Sequence, residues 1–187
     1  MAVPARHHRY SFKDYLVVEE MSAVKHEYVD GEIYAMAGGS ILHAGLAATV
    51  GAMLLNQLRE RCRTYSSDLR VRVAASGLAT YPDATVVCGP IEADPENKDT
   101  VVNPSLVVEV LSPSTFEYDL GEKFEHYRQI PSLRAVVYVW QDQRRVEVRE
   151  RVGDVWRATV AEGKQTAVIP GLDCRLEVDA LYAQAGA

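Results

Sequence analysis

Apolar side chains recur every three or four residues between Ser40 and Arg61, at Leu42, Leu46, Val50, Met53, Leu54 and Leu58. That is the period of a helix with one face against a core, and it is the longest such pattern in the chain. Ala44, Gly45, Ala47, Ala48, Gly51 and Ala52 are interleaved with it, which predicts close packing of this helix on a sheet. Upstream, SFKDYLVVEE starts on a serine and puts Phe12, Tyr15 and Leu16 on one side, so a short capped helix is expected at about 11–20. HEYVDGEIYAMAG then sets Asp30-Gly31 between two strand-like runs. An Asp-Gly pair tolerates the positive φ of a two-residue hairpin turn, and strands are predicted at about 26–29 and 32–36.

Farther along, the period shortens to that of strands. LRVRVA, ATVVC and SLVVEVL are rich in β-branched residues, and the last two are separated by GPIEADPENKDTVVNP. The prolines and charges of that segment predict a surface loop or connecting excursion. DLGEKFEHYRQI returns to helical spacing, expected over about 119–130 and ended by Pro131. RAVVYVW, RRVEVRE and VWRATV read as a terminal antiparallel meander. The whole is an α/β or α+β chain, one domain over 1–187, with a central mixed β-sheet flanked by helices, an N-terminal hairpin and a C-terminal meander.

Composition narrows the class without naming a function. At 187 residues, 48% hydrophobic and 25% charged, the chain can bury a core without staples, and disordered, coiled-coil and fibrous classes are excluded. Cys62, Cys88 and Cys174 are odd in number and form no CxxC or zinc-finger spacing, so they read as reduced thiols. The polar start MAVPARHHRY has no signal-peptide run, and no stretch of eighteen uninterrupted apolar residues occurs; with the cysteines, this predicts a cytoplasmic protein. A net charge of −6 works against general attraction to a polyanion, so a nucleic-acid role needs a local basic cleft.

Candidate chemistry lies in two carboxylates and a lysine. Successive strand residues alternate faces, so in SLVVEVL Val107, Glu109 and Leu111 share one side while Leu106, Val108 and Val110 share the other. Glu109 is the only ionisable group of that run, and a carboxylate among apolar neighbours needs a cation, a proton or several donors. Asp83 follows Pro82, which suits the start of a strand. Lys123 falls on the apolar stripe of its predicted helix with Phe124 and Tyr127. The alternative for Lys123 is a solvated pair with Asp119, four residues earlier; Asp119 and Glu122 are better placed as a capping box. HExxH, GxSxG, P-loop and GxGxxG patterns are absent. Arg144, Arg145, Arg149, Arg151 and Arg157 alternate with valines and read as the solvated face of the meander rather than a phosphate track.

With VEVLSPST after the first acid-bearing strand and DLGEK before the helix, the trio resembles the Uma-two family, grouped with restriction endonucleases in the PD-(D/E)xK nuclease superfamily. The resemblance implies a restriction-endonuclease-like fold and a Mg²⁺-dependent (or Mn²⁺-dependent) endonuclease acting on nucleic acid, DNA above RNA. It implies Asp83 and Glu109 as metal ligands, Glu27 as an assisting acid, Lys123 as the residue that orients or deprotonates the attacking water, and His43 as a substrate contact. The superfamily's lysine usually stands two residues after the acid; here that position is Leu111, and Lys123 takes its place from a helix. A homodimer is expected, because cutting both strands of a duplex suits two sites. The rivals are a silent module that keeps the fold and binds nucleic acid or protein, and a metal-dependent hydrolase of another phosphorylated substrate. The silent module predicts Lys123 turned to solvent.

Overall fold

A computed structural model describes residues 9–186; the polar start read above as lacking a signal peptide lies mostly outside them. Helix α1 (Phe12–Met21) opens on a reciprocal cap between Ser11 and Asp14. The hairpin β1 (His26–Val29) and β2 (Glu32–Ala35) turns at Asp30 and Gly31, with φ of 43° and 93°, as the Asp-Gly pair predicts. Helix α2 spans Ile41–Leu58 with Ser40 as its cap. Then come β3 (Cys62–Ser66), β4 (Arg70–Val73), β5 (Leu78–Thr80), β6 (Ala84–Cys88), β7 (Ala93–Asp94), β8 (Asn97–Val101) and β9 (Leu106–Leu111). Short helices α3 (Phe116–Leu120) and α4 (Glu122–Tyr127) precede β10 (Ala135–Trp140), β11 (Arg145–Val152) and β12 (Val155–Glu162). The chain closes with β13 (Thr166–Ile169), a 3-10 turn, β14 (Cys174–Glu177) and helix α5 (Val178–Ala185).

The mixed α+β class holds, but the strands form two six-stranded sheets rather than one, in the orders β2-β1-β5-β4-β8-β7 and β12-β11-β10-β9-β6-β3, with β13-β14 as a separate pair. In the second sheet β9 and β10 run parallel while the other neighbours are antiparallel. Three further features depart from the pattern read in the sequence. The segment expected as a loop contains β7 and β8, which extend the first sheet. β3, in CRTYS, has no alternation to announce it. The meander is not terminal, since β13, β14 and α5 follow it.

The cysteines are the clearest correction. Cys62 and Cys88 are joined by a disulfide because the β3–β6 register sets them directly opposite each other; without β3, their separation in sequence gives no hint of this. Cys174 alone is a free, buried thiol, and burial pushes its pKa up to about 11. Two of the three cysteines therefore no longer support the reduced-thiol argument for a cytoplasmic protein.

Helix α2 carries no charge and is long and apolar enough to cross a bilayer by composition alone. Its Leu46, Val50, Leu54 and Leu58, however, are wholly buried against Val86, Val108, Val110 and Val137 of the second sheet, as in the core helix of a globular protein. The small residues divide between its faces. A Cβ at Gly51 would stand 4.0 Å from that of Ala84, so this position faces the sheet, whereas Ala44, Ala48 and Ala52 are exposed and do not pack on the sheet as expected.

Candidate active site

The strand alternation read from SLVVEVL is realised in β9. Leu106, Val108 and Val110 join the core beneath α2, while Val107 and Leu111 join a second core with Phe124, Tyr127 and Tyr138. Glu109 projects into that second side and is 5% exposed. The β6–β9 register pairs Ala84 with Val108 and Thr85 with Val107. Asp83 stands just before β6, beyond the last pair of that ladder, and its carboxylate accepts the N–H of Val110, the neighbour of Glu109 in β9.

Lys123 is turned inward and is 4% exposed. Its Nζ lies 3.0 Å from Glu109 Oε1, 3.3 Å from Asp119 Oδ1 and 3.5 Å from Glu27 Oε2. This inverts the capping-box reading of Asp119, which is buried and faces Lys123. The cause is local: the helix predicted over 119–130 breaks at Gly121, with φ −100° and ψ −99°. A Cβ there would stand 2.8 Å from the Glu117 carbonyl. The break separates α3 from α4, and Asp119 on one and Lys123 on the other converge on Glu109.

Hydroxyls complete the pocket. Tyr127 donates to Glu109 Oε1 at 2.5 Å, Thr80 donates to Glu27 Oε2 at 2.5 Å, and Tyr118 donates to Glu27 Oε1. Glu27, from β1, thereby couples the first sheet to the second through Lys123. Neither Tyr127, Tyr118 nor Thr80 was singled out from the sequence; Tyr127 alone left a trace, as part of the apolar stripe with Lys123. Asp83 is gripped at both oxygens. Oδ2 accepts the Val110 N–H at 2.7 Å, and Oδ1 is 2.8 Å from His43 Nε2. His43, at the start of α2, therefore touches the site through Asp83. Of the meander's arginines, Arg149 binds Glu147 and the Leu120 carbonyl, and Arg151 binds the Arg128 and Ile130 carbonyls; these two fasten α3 and α4 to β11 rather than lying in solvent.

The electrostatics follow from one ammonium among several acids. Burial lifts the Glu109 pKa to about 8, against the downward pull of Lys123. Burial disfavours the Lys123 ammonium, but Glu109, Tyr127, Glu27 and Asp119 outweigh it and hold its pKa well above the ordinary lysine value. His43 is raised, chiefly by its hydrogen bond to Asp83. Three buried acids crowded on one ammonium mark a pocket short of positive charge, which a divalent cation would relieve. Among the described residues no three His, Cys, Asp or Glu side chains form a ready cage for a metal. The donor chemistry nonetheless fits Mg²⁺, which commonly takes one or two carboxylates and fills its remaining positions with water and phosphate. Asp83 and Glu109 are such a pair; both oxygens of Asp83, like those of Glu27, already have hydrogen-bond partners. A cleft of about 360 Å³, lined by Pro90, Asn103, Arg134 and Arg151 among others, lies at the opposite end of β9 and β10 and holds none of the candidate site residues.

Comparison with known proteins places the fold and the family. A solved chain from Anabaena variabilis, described as "a putative nuclease belonging to DUF820", superposes with a TM-score of 0.72 at 16% identity, covering 88% of this chain and 93% of that one. It shows the fold. Two uncharacterized proteins of Synechocystis sp. are similar in sequence. One, slr1290, is 33% identical over 91% of this chain and 90% of its own length. The other, sll1609, is 34% identical over 83% and 89%. The profile of the Uma2 family, described as "putative restriction endonuclease", matches residues 12–180, and the chain belongs to that family.

Proposed function

We propose that the protein is a Mg²⁺-dependent endonuclease that hydrolyses phosphodiester bonds of DNA. The observation that carries this reading is the inward Lys123, 3.0 Å from Glu109, with Asp83 bonded to the amide of Val110, the next residue of the same strand. Asp83 and Glu109 would hold the cation. When bound, it supplies Lewis-acid stabilisation of the charge that develops on the phosphate and leaving oxygen. Lys123 orients the attacking water and stabilises the charge it gains, at an ammonium fixed by three carboxylates rather than free to wander. Glu27 and Asp119 act on Lys123, holding it charged and in place. His43 acts on Asp83.

A silent module would have no use for a lysine buried among acids, since replacing such a cluster by apolar side chains is often neutral or stabilising. Supercoiled plasmid, single-stranded DNA and RNA, incubated with Mg²⁺ or Mn²⁺, provide the test. Metal-dependent cleavage of DNA that Asp83→Ala and Lys123→Ala both abolish is the expected result. Cleavage that survives both substitutions would sink the assigned site, and no cleavage of any nucleic acid would favour the silent module. RNA cleaved in preference to DNA would overturn the substrate.

A further inference from the structure

The register of the second sheet lines up Glu109, Tyr138 and Glu147 in one row across β9, β10 and β11, and Val107, Val136 and Arg149 in the next. The face beneath α3 and α4 therefore carries Tyr138 and Arg149 as well as Glu109, and both reach the broken helix above. In an unbroken helix the carbonyls of Asp119 and Leu120 would be offered to the amides of Lys123 and Phe124. Here they meet side chains: the Tyr138 hydroxyl donates to the Asp119 carbonyl at 3.1 Å, and Arg149 Nη1 donates to that of Leu120 at 2.7 Å. Arg149 Nε donates to Glu147 Oε1 at 2.7 Å. The same guanidinium lies 4.5 Å from the centre of the Phe124 ring and 4.9 Å from that of Tyr138. One side chain thus touches the chain on either side of Gly121, at the last residue of α3 and at the neighbour of Lys123 in α4. A guanidinium suits this task, since its planar fork donates in two directions while its face stacks on a ring.

We propose that Arg149 is a positioning residue that keeps the helix broken at Gly121 and thereby keeps Lys123 aimed at Glu109. A part-buried helix end whose carbonyls lack partners is unfavourable. Without Arg149, the Leu120 carbonyl has one ready donor, the Phe124 amide four residues on. Forming that bond joins α3 to α4 and turns the side of α4 that carries Lys123. Gly121 permits the break, because a Cβ there would stand 2.8 Å from the Glu117 carbonyl, and Arg149 holds it. The part of Lys123 in cleavage rests on the nuclease reading above; the hold on its position does not.

Acylation of the chelator-treated full chain with N-hydroxysuccinimidyl acetate, read by peptide mass spectrometry, tests it, with the exposed Lys13, Lys98 and Lys164 as internal standards. In the wild type, Lys123 is 4% exposed and is expected to stay unmodified. In Arg149→Met, which keeps an apolar stem but no donor, it should be acylated along with the standards. Leu54→Ala controls for lost stability alone and should leave Lys123 protected. Gly121→Ala closes the break with Arg149 in place and should expose Lys123 even if Arg149→Met does not fold; cooperative melting verifies folding of each variant. Acylation of Lys123 in the wild type or equally in Leu54→Ala overturns the proposal, as does protection that persists in folded Arg149→Met or Gly121→Ala. With Mg²⁺ and plasmid, Arg149→Met and Gly121→Ala are expected to lose about 100-fold in kcat with KM unchanged. An unchanged kcat, or a raised KM of the kind a phosphate contact would give, overturns the positioning role. A wild type that cleaves nothing, with Lys123 exposed only in these two variants, would leave the clamp standing and remove the nuclease reading.

Discussion

The two faces of β9 carry opposite solutions to burial. On one, Val108 and Val110 meet the fully buried leucines of α2, a dry hydrocarbon contact with no polar group to satisfy. On the other, Glu109 is equally hidden but surrounded by Lys123, Tyr127 and Asp119. Hydrocarbon burial stabilises with no geometric demand beyond fit, whereas a buried ionic cluster costs desolvation that its internal attraction only partly offsets. The first face holds the fold together. The second is held in place by the first, and is the face to which the proposed nuclease reading assigns the chemistry.

Substitutions on the two faces should therefore separate stability from activity. Leu54→Ala removes a wholly buried side chain beneath the sheet and is expected to cost about 2–5 kcal/mol in denaturant unfolding. Cleavage per folded molecule should be unchanged. Glu109→Gln reverses the pattern: Tyr127 keeps its acceptor, Lys123 keeps Glu27 and Asp119, and unfolding free energy should stay within about 1 kcal/mol, while cleavage is lost. A large stability loss in Glu109→Gln with activity intact would erase the contrast.

Tyr127→Phe deletes a hydroxyl donated to a buried carboxylate, with an expected loss of about 1–3 kcal/mol at pH 9, where Glu109 is charged. The same carboxyl gives the second face a pH signature. Because burial raises Glu109 to about 8, above its unfolded value, the folded state binds the extra proton. Its contribution to stability is complete below the ordinary carboxyl range and is lost as pH rises through about 8. Melting temperatures of chelator-treated protein should fall between pH 6 and 9, and this slope should vanish in Glu109→Gln. The smallest effect belongs to the apolar side. Cys174, raised to about 11 by burial, should resist thiol reagents at pH 8 in the folded protein and react once the chain is unfolded, giving one thiol without reductant and three with it.

The sequence made the apolar face legible because its signal is periodic: the α2 leucines and the alternation of SLVVEVL are visible without knowing what they meet. Glu109, isolated in an apolar strand, and Lys123, on a core stripe, were also recoverable from the residues, whereas Asp83 after a proline reads by itself as an ordinary turn and was joined to them by the family resemblance. What surrounds them was not. Asp119 resembled a helix cap, and only the break at Gly121 turns it inward. Thr80 and Tyr118 come from elements far apart in sequence, and their contacts with Glu27 exist only once two sheets are closed around Lys123. The Cys62–Cys88 bridge was hidden likewise, since it depends on the pairing of a strand with no pattern of its own.

The central claim is that the buried Lys123 ammonium takes part in phosphodiester hydrolysis. The rate of Mg²⁺-dependent nicking of supercoiled plasmid by Lys123→Met, measured against the wild type at a pH where both melt cooperatively, tests it most directly. A folded Lys123→Met that nicks about 10²- to 10³-fold more slowly is the predicted result; equal rates would contradict the account.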